Sequence, residues 1–330
     1  VMTTGPSREP VEVTRDETPR RDTSLEALRR LRPAFKSDGR VTAGNAPGVN
    51  DGAAALVVTS AERAAQLGRK PMARIVAQAV AGQRDRVFIA TRVLPSNASY
   101  AGTLRACEAS LRRLGVERID LYQFHWPDET GTPVEDSWGE MGRLVEEGKV
   151  RWAGVSNFDV PLLERCEKIR HVDSLQPPFS TINRQASAGE IPWCAEHGTD
   201  VIIYSPMQSG LLTEKWTVDR AKTLAPDDWR RHSPDFQSPN LEKNLALRDA
   251  LTPIAKRHGT TIAAIAVAWT LAWRGVTGAI VGARSPEQVD GWIGAASIEL
   301  TGADLDKIVQ AIERTGAGVG PKHPRGIRGL

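Results

Sequence analysis

The sequence predicts an α/β fold, a (β/α)8 TIM-barrel-like wall of parallel strands with helices outside. Three observations predict it. Strand and helix patterns alternate regularly after about residue 82, as parallel pairing requires. Six strands follow that point, and two more before it bring the number to the eight that close a barrel. The chain of 330 residues is 40% hydrophobic and 25% charged, enough for a sizeable core. Disordered, collagen-like and mini-protein classes are thereby excluded.

Pro6, Pro10, Pro19 and the charge clustered through Arg21 predict an extended arm. Ser24 caps a helical pattern over Leu25–Leu31 that stops before Pro33. Gly44–Gly52 reads as a loop, Ala53–Thr59 as a buried strand, Ser60–Gly68 as a short helix and Met72–Val80 as a second strand. These form one βαβ unit. Only Ala81–Asp85 separates the second strand from the third, too short for a helical crossover, so the wall departs from a regular barrel there.

Further strands are expected at Val87–Thr91, Ile119–Phe124, Arg151–Val155, Ser174–Gln176, Val201–Ser205 and Gly278–Val281. Helical patterns lie between them at Tyr100–Leu114, Ser137–Glu147, Val160–Arg170 and Gly189–His197. Others cover Leu241–Gly259, Thr261–Arg274 and Pro286–Ala295. Composition also shifts near residue 82: of nine Trp, three Tyr and six Phe, only Phe35 precedes it. Two domains are therefore expected, residues 1–82 and 83–330.

The charge balance, 43 basic against 40 acidic residues and a net +3, implies neither nucleic-acid nor membrane partners. The longest apolar run, Ile262–Trp273 with Thr270 inside it, falls short of the roughly 20 residues that span a bilayer. No apolar signal region stands at Val1–Ser7. Cys107, Cys166 and Cys194 are few, odd in number and widely spaced, which argues against disulfides and against a zinc site. A reducing, cytoplasmic protein without metal is expected.

Four motifs carry a resemblance. The first two are Ile119-Asp120-Leu121-Tyr122-Gln123-Phe124-His125-Trp126-Pro127 and Gly148-Lys149-Val150-Arg151-Trp152-Ala153-Gly154-Val155-Ser156-Asn157-Phe158. Tyr204-Ser205-Pro206-Met207-Gln208-Ser209-Gly210-Leu211-Leu212 and Gly282-Ala283-Arg284-Ser285-Pro286-Glu287-Gln288-Val289 follow. Each stands at the C-terminal end of an expected strand, and together they resemble the aldo-keto reductase superfamily. Residues 9–82 are similar instead to the middle of a thiolase. Asp16-Glu17-Thr18-Pro19-Arg20, Leu31-Arg32-Pro33-Ala34-Phe35-Lys36 and Val41–Ala55 carry that likeness. The thiolase Cys nucleophile, Gly-His-Pro and Cys-Gly-Gly motifs occur nowhere, and Pro47 stands where a Ser is common. Thiolase chemistry is not available, and the chain reads as a fusion whose thiolase-like βαβ segment supplies or patches the first strands.

The reductase resemblance implies hydride transfer from a nicotinamide to a carbonyl. A Tyr phenol acts as proton donor, a Lys and an Asp lower its pKa, and a His orients the substrate. His125 takes the His position and Arg92 the Lys position. The Asp and Tyr positions fall in the part replaced upstream. Tyr100, the first Tyr of the chain, is the candidate substitute; the alternative is a helix-entry residue packed on the rim. His125 has the alternative of a satisfied interior residue, and Tyr122 is expected to pack.

For the cofactor, the resemblance places Ser156, Asn157 and Gln176 on the nicotinamide amide, with Tyr204 beneath the ring. Ser205, Pro206, Met207, Ser209, Gly210 and Leu211 would run along the pyrophosphate, where small residues let backbone N–H groups approach. Gly282, Ala283, Arg284 and Ser285 precede a helix, so its first amides and the Arg284 guanidinium would clamp a 2′-phosphate, favouring NADP. Gln288 would lie near the adenosine, while Trp292 departs from the common Asn. The Pro226–Pro239 segment resembles a covering loop, with a rigid surface loop as the alternative. Gly44–Gly52 lacks the Gly-Lys-Ser/Thr ending of a phosphate loop.

The expected function is NADP-dependent reduction of aldehydes or ketones with an incomplete catalytic tetrad. The alternative is an impaired NADP(H)-binding barrel, or a chimeric fusion, without efficient turnover. The expected partner is a small carbonyl substrate, with self-association through strand edges as a further expectation.

Overall fold

A computed structural model describes residues 2–4, 10–12, 26, 88–128, 131–283 and 285–323. The chain divides into two compact units, Val1–Ile75 and Val76–Leu330. In the first, β1 (Met2–Thr4) and β2 (Pro10–Glu12) pair antiparallel, Met2 opposite Glu12, within the segment expected as an extended arm. Glu26, inside the helix expected after Ser24, is helical. The strands expected at Ala53–Thr59 and Met72–Val80, and the helix between them, lie outside the described residues.

The second unit holds six strands: β3 (Ala90–Val93), β4 (Ile119–Phe124), β5 (Val150–Ser156), β6 (Ser174–Gln176), β7 (Asp200–Tyr204) and β8 (Val276–Ile280). Each pairs parallel with the next in sequence order, so β3 and β8 form the edges of the described sheet. This is the (β/α)8-barrel-like arrangement, with six strands of the wall among the described residues. Ile119, Leu121, Tyr122, Gln123 and Phe124 of β4 are all buried, as in a parallel strand covered on both faces.

Local chemistry sets the element ends. β3 starts at Ala90, later than the expected Val87, and the Ile89 N–H ahead of it donates to Asp120 Oδ2 at 2.8 Å. Helix α1 (Tyr100–Leu114) ends at Gly115, whose φ of 62° closes it with a left-handed cap. Helix α2 (Val134–Glu146) buries Val134, Trp138 and Met141 at helical spacing, and Trp138 Nε1 donates to the Arg170 carbonyl at 3.0 Å. α3 (Val160–Glu167), α4 (Glu190–His197) and the short α5 (Val218–Lys222) follow.

The single helix expected over Leu241–Gly259 is two, α6 (Asn240–Ala250) and α7 (Thr252–Arg257). Pro253 has no N–H to donate and opens the second. Helix α8 (Ile262–Leu271) is buried all round, which accounts for its apolar composition; its Trp269 stacks on Phe179 at 5.5 Å. No helix among the described residues is long and apolar enough to cross a membrane. The helix expected over Pro286–Ala295 is α9 (Pro286–Asp290) followed by a 3-10 turn at Ile293–Ser297, interrupted at Gly291. The sequence reading missed α10 (Gly302–Thr315), though its Thr301/Asp304 capping box is a readable start signal.

After α10 the chain forms a short strap. Val319 bridges to Asn183, and the Val319 N–H donates to the Ile182 carbonyl at 3.0 Å. Arg184, 1% exposed, donates to carbonyls of Ala317 at 3.3 Å and Gly320 at 3.4 Å, and to that of Thr181.

All three cysteines are buried free thiols. Burial, aided by nearby carboxylates, raises Cys107 from 9.0 to about 11 and Cys166 and Cys194 to about 12. A thiol reagent at mildly alkaline pH should therefore label none of them in the native chain and all three in denaturant. Because the folded values are raised, the stability these thiols contribute is complete below pH 9 and is lost as pH climbs toward 11 and 12. Fast native labelling would contradict the packing.

Candidate active site

The C-terminal ends of parallel strands bring distant residues together. Arg92 on β3 stands opposite Gln123 on β4, and Ser156 at the end of β5 opposite Gln176 on β6. His125 and Asn157 immediately follow β4 and β5, and Tyr204 ends β7. Gly154 of β5 makes room for Gln123: a Cβ there would stand 2.6 Å from the Ser174 carbonyl oxygen and 3.0 Å from Gln123 Cγ.

Two hydrogen-bond chains knit the strand ends. Arg92 Nη1 donates to Gln176 Oε1 at 2.8 Å, and Gln176 Nε2 donates to Gln123 Oε1 at 3.1 Å. Gln123 Nε2 then donates to Ser174 Oγ at 3.4 Å. The second chain centres on Asn157, left-handed at φ 63°. Its Nδ2 donates to the His125 carbonyl at 2.9 Å and to Ser156 Oγ at 3.1 Å, while its Oδ1 accepts from the Tyr204 hydroxyl at 2.8 Å. Ser156 Oγ donates to the Gln176 carbonyl at 2.8 Å, joining the two.

The electrostatics follow from burial first and from Arg92 second. Burial, then the Arg92 charge, lowers the His125 pKa, so the imidazole is neutral at neutral pH. Burial raises the Tyr204 hydroxyl, with Arg92 opposing it. Arg92 forms no ion pair with any described residue.

The Ser205–Leu212 loop has an unusual backbone. Ser205, Gln208 and Ser209 take φ of 58°, 43° and 53°, and Gly210 97°. A Cβ on Gly210 would meet Trp216 Nε1 at 2.7 Å, so this position needs glycine. Gln208 ties the loop down, its Oε1 accepting from Ser180 Oγ and its Nε2 donating to Asp235 Oδ2, both at 2.7 Å. Pro206 and Leu211 are buried, and Met207 packs on Ala264, Val267 and Ala295. The Pro226–Pro239 segment forms two 3-10 turns and buries Phe236 against Trp216 at 4.9 Å.

Gly282 and Ala283 are exposed, Ser285 caps α9 and Gln288 lies one turn in. The Ser285 hydroxyl bonds the Glu287 carboxylate, holding its pKa down. Arg284 lies outside the described residues, as does the side chain of Tyr100, the first residue of α1. Gln123 and Gln208 were missed from sequence; their signals are an amide in the apolar second half of a strand and the one amide within the small-residue loop.

A parallel sheet with polar side chains converging at its C-terminal strand ends defines a (β/α)8-barrel-like protein. Residues 67–313 match the aldo/keto reductase family, and residues 1–62 match the N-terminal domain of thiolase. The chain belongs to the aldo/keto reductase family, whose members are nicotinamide-dependent oxidoreductases acting on carbonyls.

The chain is 33% identical over 234 residues to the aldo-keto reductase YhdN of Bacillus subtilis, covering 68% of each chain. It is 29% identical over 280 residues to the NADH-specific methylglyoxal reductase of Escherichia coli, covering 82% of this chain and 83% of that one. Among solved structures, the glycerol dehydrogenase AKR11B4 from Gluconobacter oxydans is similar with a TM-score of 0.63 at 34% identity, covering 68% of this chain and 67% of that one. An aldo/keto reductase from Klebsiella pneumoniae in complex with NADP and acetate has a TM-score of 0.54 at 28% identity, covering 76% of both. The two family matches adjoin between residues 62 and 67, upstream of the composition shift near 82.

Proposed function

We propose that the chain is an NADP-dependent oxidoreductase that reduces aldehydes or ketones. The observation that carries this reading is the linked set of Ser156, Asn157, Gln176 and Tyr204 at one end of the sheet. Amide and hydroxyl groups there match the paired donors and acceptors of a carboxamide, and Tyr204 adds an aromatic face. The bound nicotinamide supplies the hydride. Ser205, Pro206, Met207, Ser209, Gly210 and Leu211 would run along the pyrophosphate; Pro206 has no N–H to offer, and the Gly210 and Leu211 N–H groups already donate within the loop, to the Met207 and Gln208 carbonyls at 3.0 and 3.1 Å. Gly282, Ala283, Ser285 and Gln288 border the adenosine end. Arg284 selects the 2′-phosphate; one relative is named for NADH and another is solved with NADP, so this preference rests on Arg284.

Neutral His125 donates its ring N–H to the carbonyl oxygen. Arg92 places positive charge beside the oxygen as it becomes an alkoxide. Tyr100 donates the proton. NADPH consumption with a panel of aldehydes and ketones tests this. The intact chain should turn over, and His125→Ala should lower the rate about 10²–10⁴-fold. An unchanged rate in His125→Ala removes His125 from the chemistry, and an unchanged rate in Tyr100→Phe removes Tyr100.

A second reading is a cofactor-binding barrel without efficient turnover. It is favoured by Arg92, which takes the family's Lys position, cannot act as a proton relay, and already occupies Gln176 Oε1. Tryptophan quenching by NADPH without consumption would select it. Residues 1–82 as a separate thiolase-like domain, a homo-oligomeric state and a cytoplasmic location belong to the same proposal.

A further inference from the structure

We infer that Arg92 makes the mouth of the sheet a carboxylate-binding subsite, so that the carbonyl compounds this chain takes carry a carboxylate next to the reacting group. The inference rests on the reductase reading for the carbonyl and on Arg92 alone for the acid.

Arg92 is exposed at the C-terminal end of β3, yet it is not a loose surface cation. Its Nη1 is held at 2.8 Å by Gln176, itself only 5% exposed and held in turn by Gln123. The acceptor is a neutral amide, so the guanidinium keeps its whole charge. Two other anchored arginines of the unit face acids, Arg170 with Asp173 and Arg230 with Asp228, while the buried Arg184 is held by backbone carbonyls. Arg92 pairs with none among the described residues, and His125 and Tyr204 feel its charge but that of no carboxylate.

A guanidinium fixed through one nitrogen still presents the rest of its planar fork, which fits a carboxylate through two parallel hydrogen bonds. His125 leads off from the strand beside it, its N–H bonded to the Val93 carbonyl at 3.0 Å, one residue beyond Arg92. A 2-oxo acid carries its carboxylate and ketone on adjacent carbons, matching the neighbouring cation and neutral imidazole. A plain ketone offers Arg92 no anion until its oxygen becomes an alkoxide.

Phenylglyoxylate and its methyl ester differ in the carboxylate charge and in one methyl group. Calorimetric titration of the full chain with each, with and without NADPH, should show the acid binding about 10- to 100-fold tighter, the range for hydrogen bonds to a charged group. Arg92→Gln should erase the difference, with far-UV spectrum and melting unchanged. Equal binding of acid and ester, or a preference that survives in Arg92→Gln, overturns the inference. If Arg92→Gln fails to fold, Arg92→Lys decides: a point charge should lose about 10-fold of the preference, and full retention overturns the inference. NADPH binding without acid preference removes the subsite alone. An Arg92-dependent acid preference without NADPH binding removes the reductase reading alone.

Discussion

Replacing Asp304 with Ala should lower the unfolding free energy by about 3 kcal/mol, from loss of a helix cap and of buried hydrogen bonds to a charged group. The carboxylate is fully buried at the start of α10. Its Oδ2 accepts from the Thr301 N–H at 3.0 Å and the Thr301 hydroxyl at 2.9 Å, and His258 Nε2 lies 3.0 Å away. Arg257 forms an ion pair with Oδ1. Alanine leaves the Thr301 groups and His258 without their acceptor, while Arg257, 44% exposed, returns to water. That asymmetry keeps the loss at the lower end of the about 3–5 kcal/mol of a fully buried broken pair. Asp304→Asn retains an acceptor for the cap and should lose about half as much. Urea unfolding of both variants measures this, and a loss under about 1 kcal/mol for alanine would show that the cap carries the end of the helix without the charge.

Gly318→Ala should be more damaging still, at about 3–5 kcal/mol from overpacking and broken charged hydrogen bonds together. At its φ of 63° a Cβ would stand 1.9 Å from the Ile182 carbonyl oxygen. Backbone cannot rotate aside as a side chain can, so the strap must lift. Lifting it takes the Ala317 and Gly320 carbonyls from Arg184, a buried guanidinium that burial already pushes down to about 10. Gly316 is the control: it has the same φ of 63° with nothing within 4 Å of a Cβ. Gly316→Ala should lose only the about 1–2 kcal/mol of a left-handed side chain. Equal midpoints for the two variants would refute the clash.

What the sequence makes legible is local. α1 runs over Tyr100–Leu114 as its periodicity predicts, and β4 over Ile119–Phe124, because apolar spacing and a Gly terminator act within a few residues. The break at Leu251 was equally local, since Pro253 lies in plain view, but the apolar pattern continues across it and conceals it. Ser156 and Tyr204 were found through their motifs and Gln176 through the family resemblance alone, and hydrogen bonds through Asn157 and Ser156 link the three. The Arg92–Gln176 bond spans 84 positions and the Gln123–Gln176 bond 53. Neither partner's surroundings are written near it in the chain. The same holds for Gln208, whose two partners come from the loop after β6 and from the Pro226–Pro239 segment.

Asn157 has a consequence for inheritance. It fastens Ser156 on one side and Tyr204 on the other, and Ser156 fastens Gln176. These partners, with the Ser205–Leu212 loop, occupy one uninterrupted stretch of chain, so a single crossover upstream moves them as a block. Recombination can exchange what precedes β3 without separating that block. Arg92 and His125 lie nearer such a junction, and they are the members a new neighbour is first placed to alter.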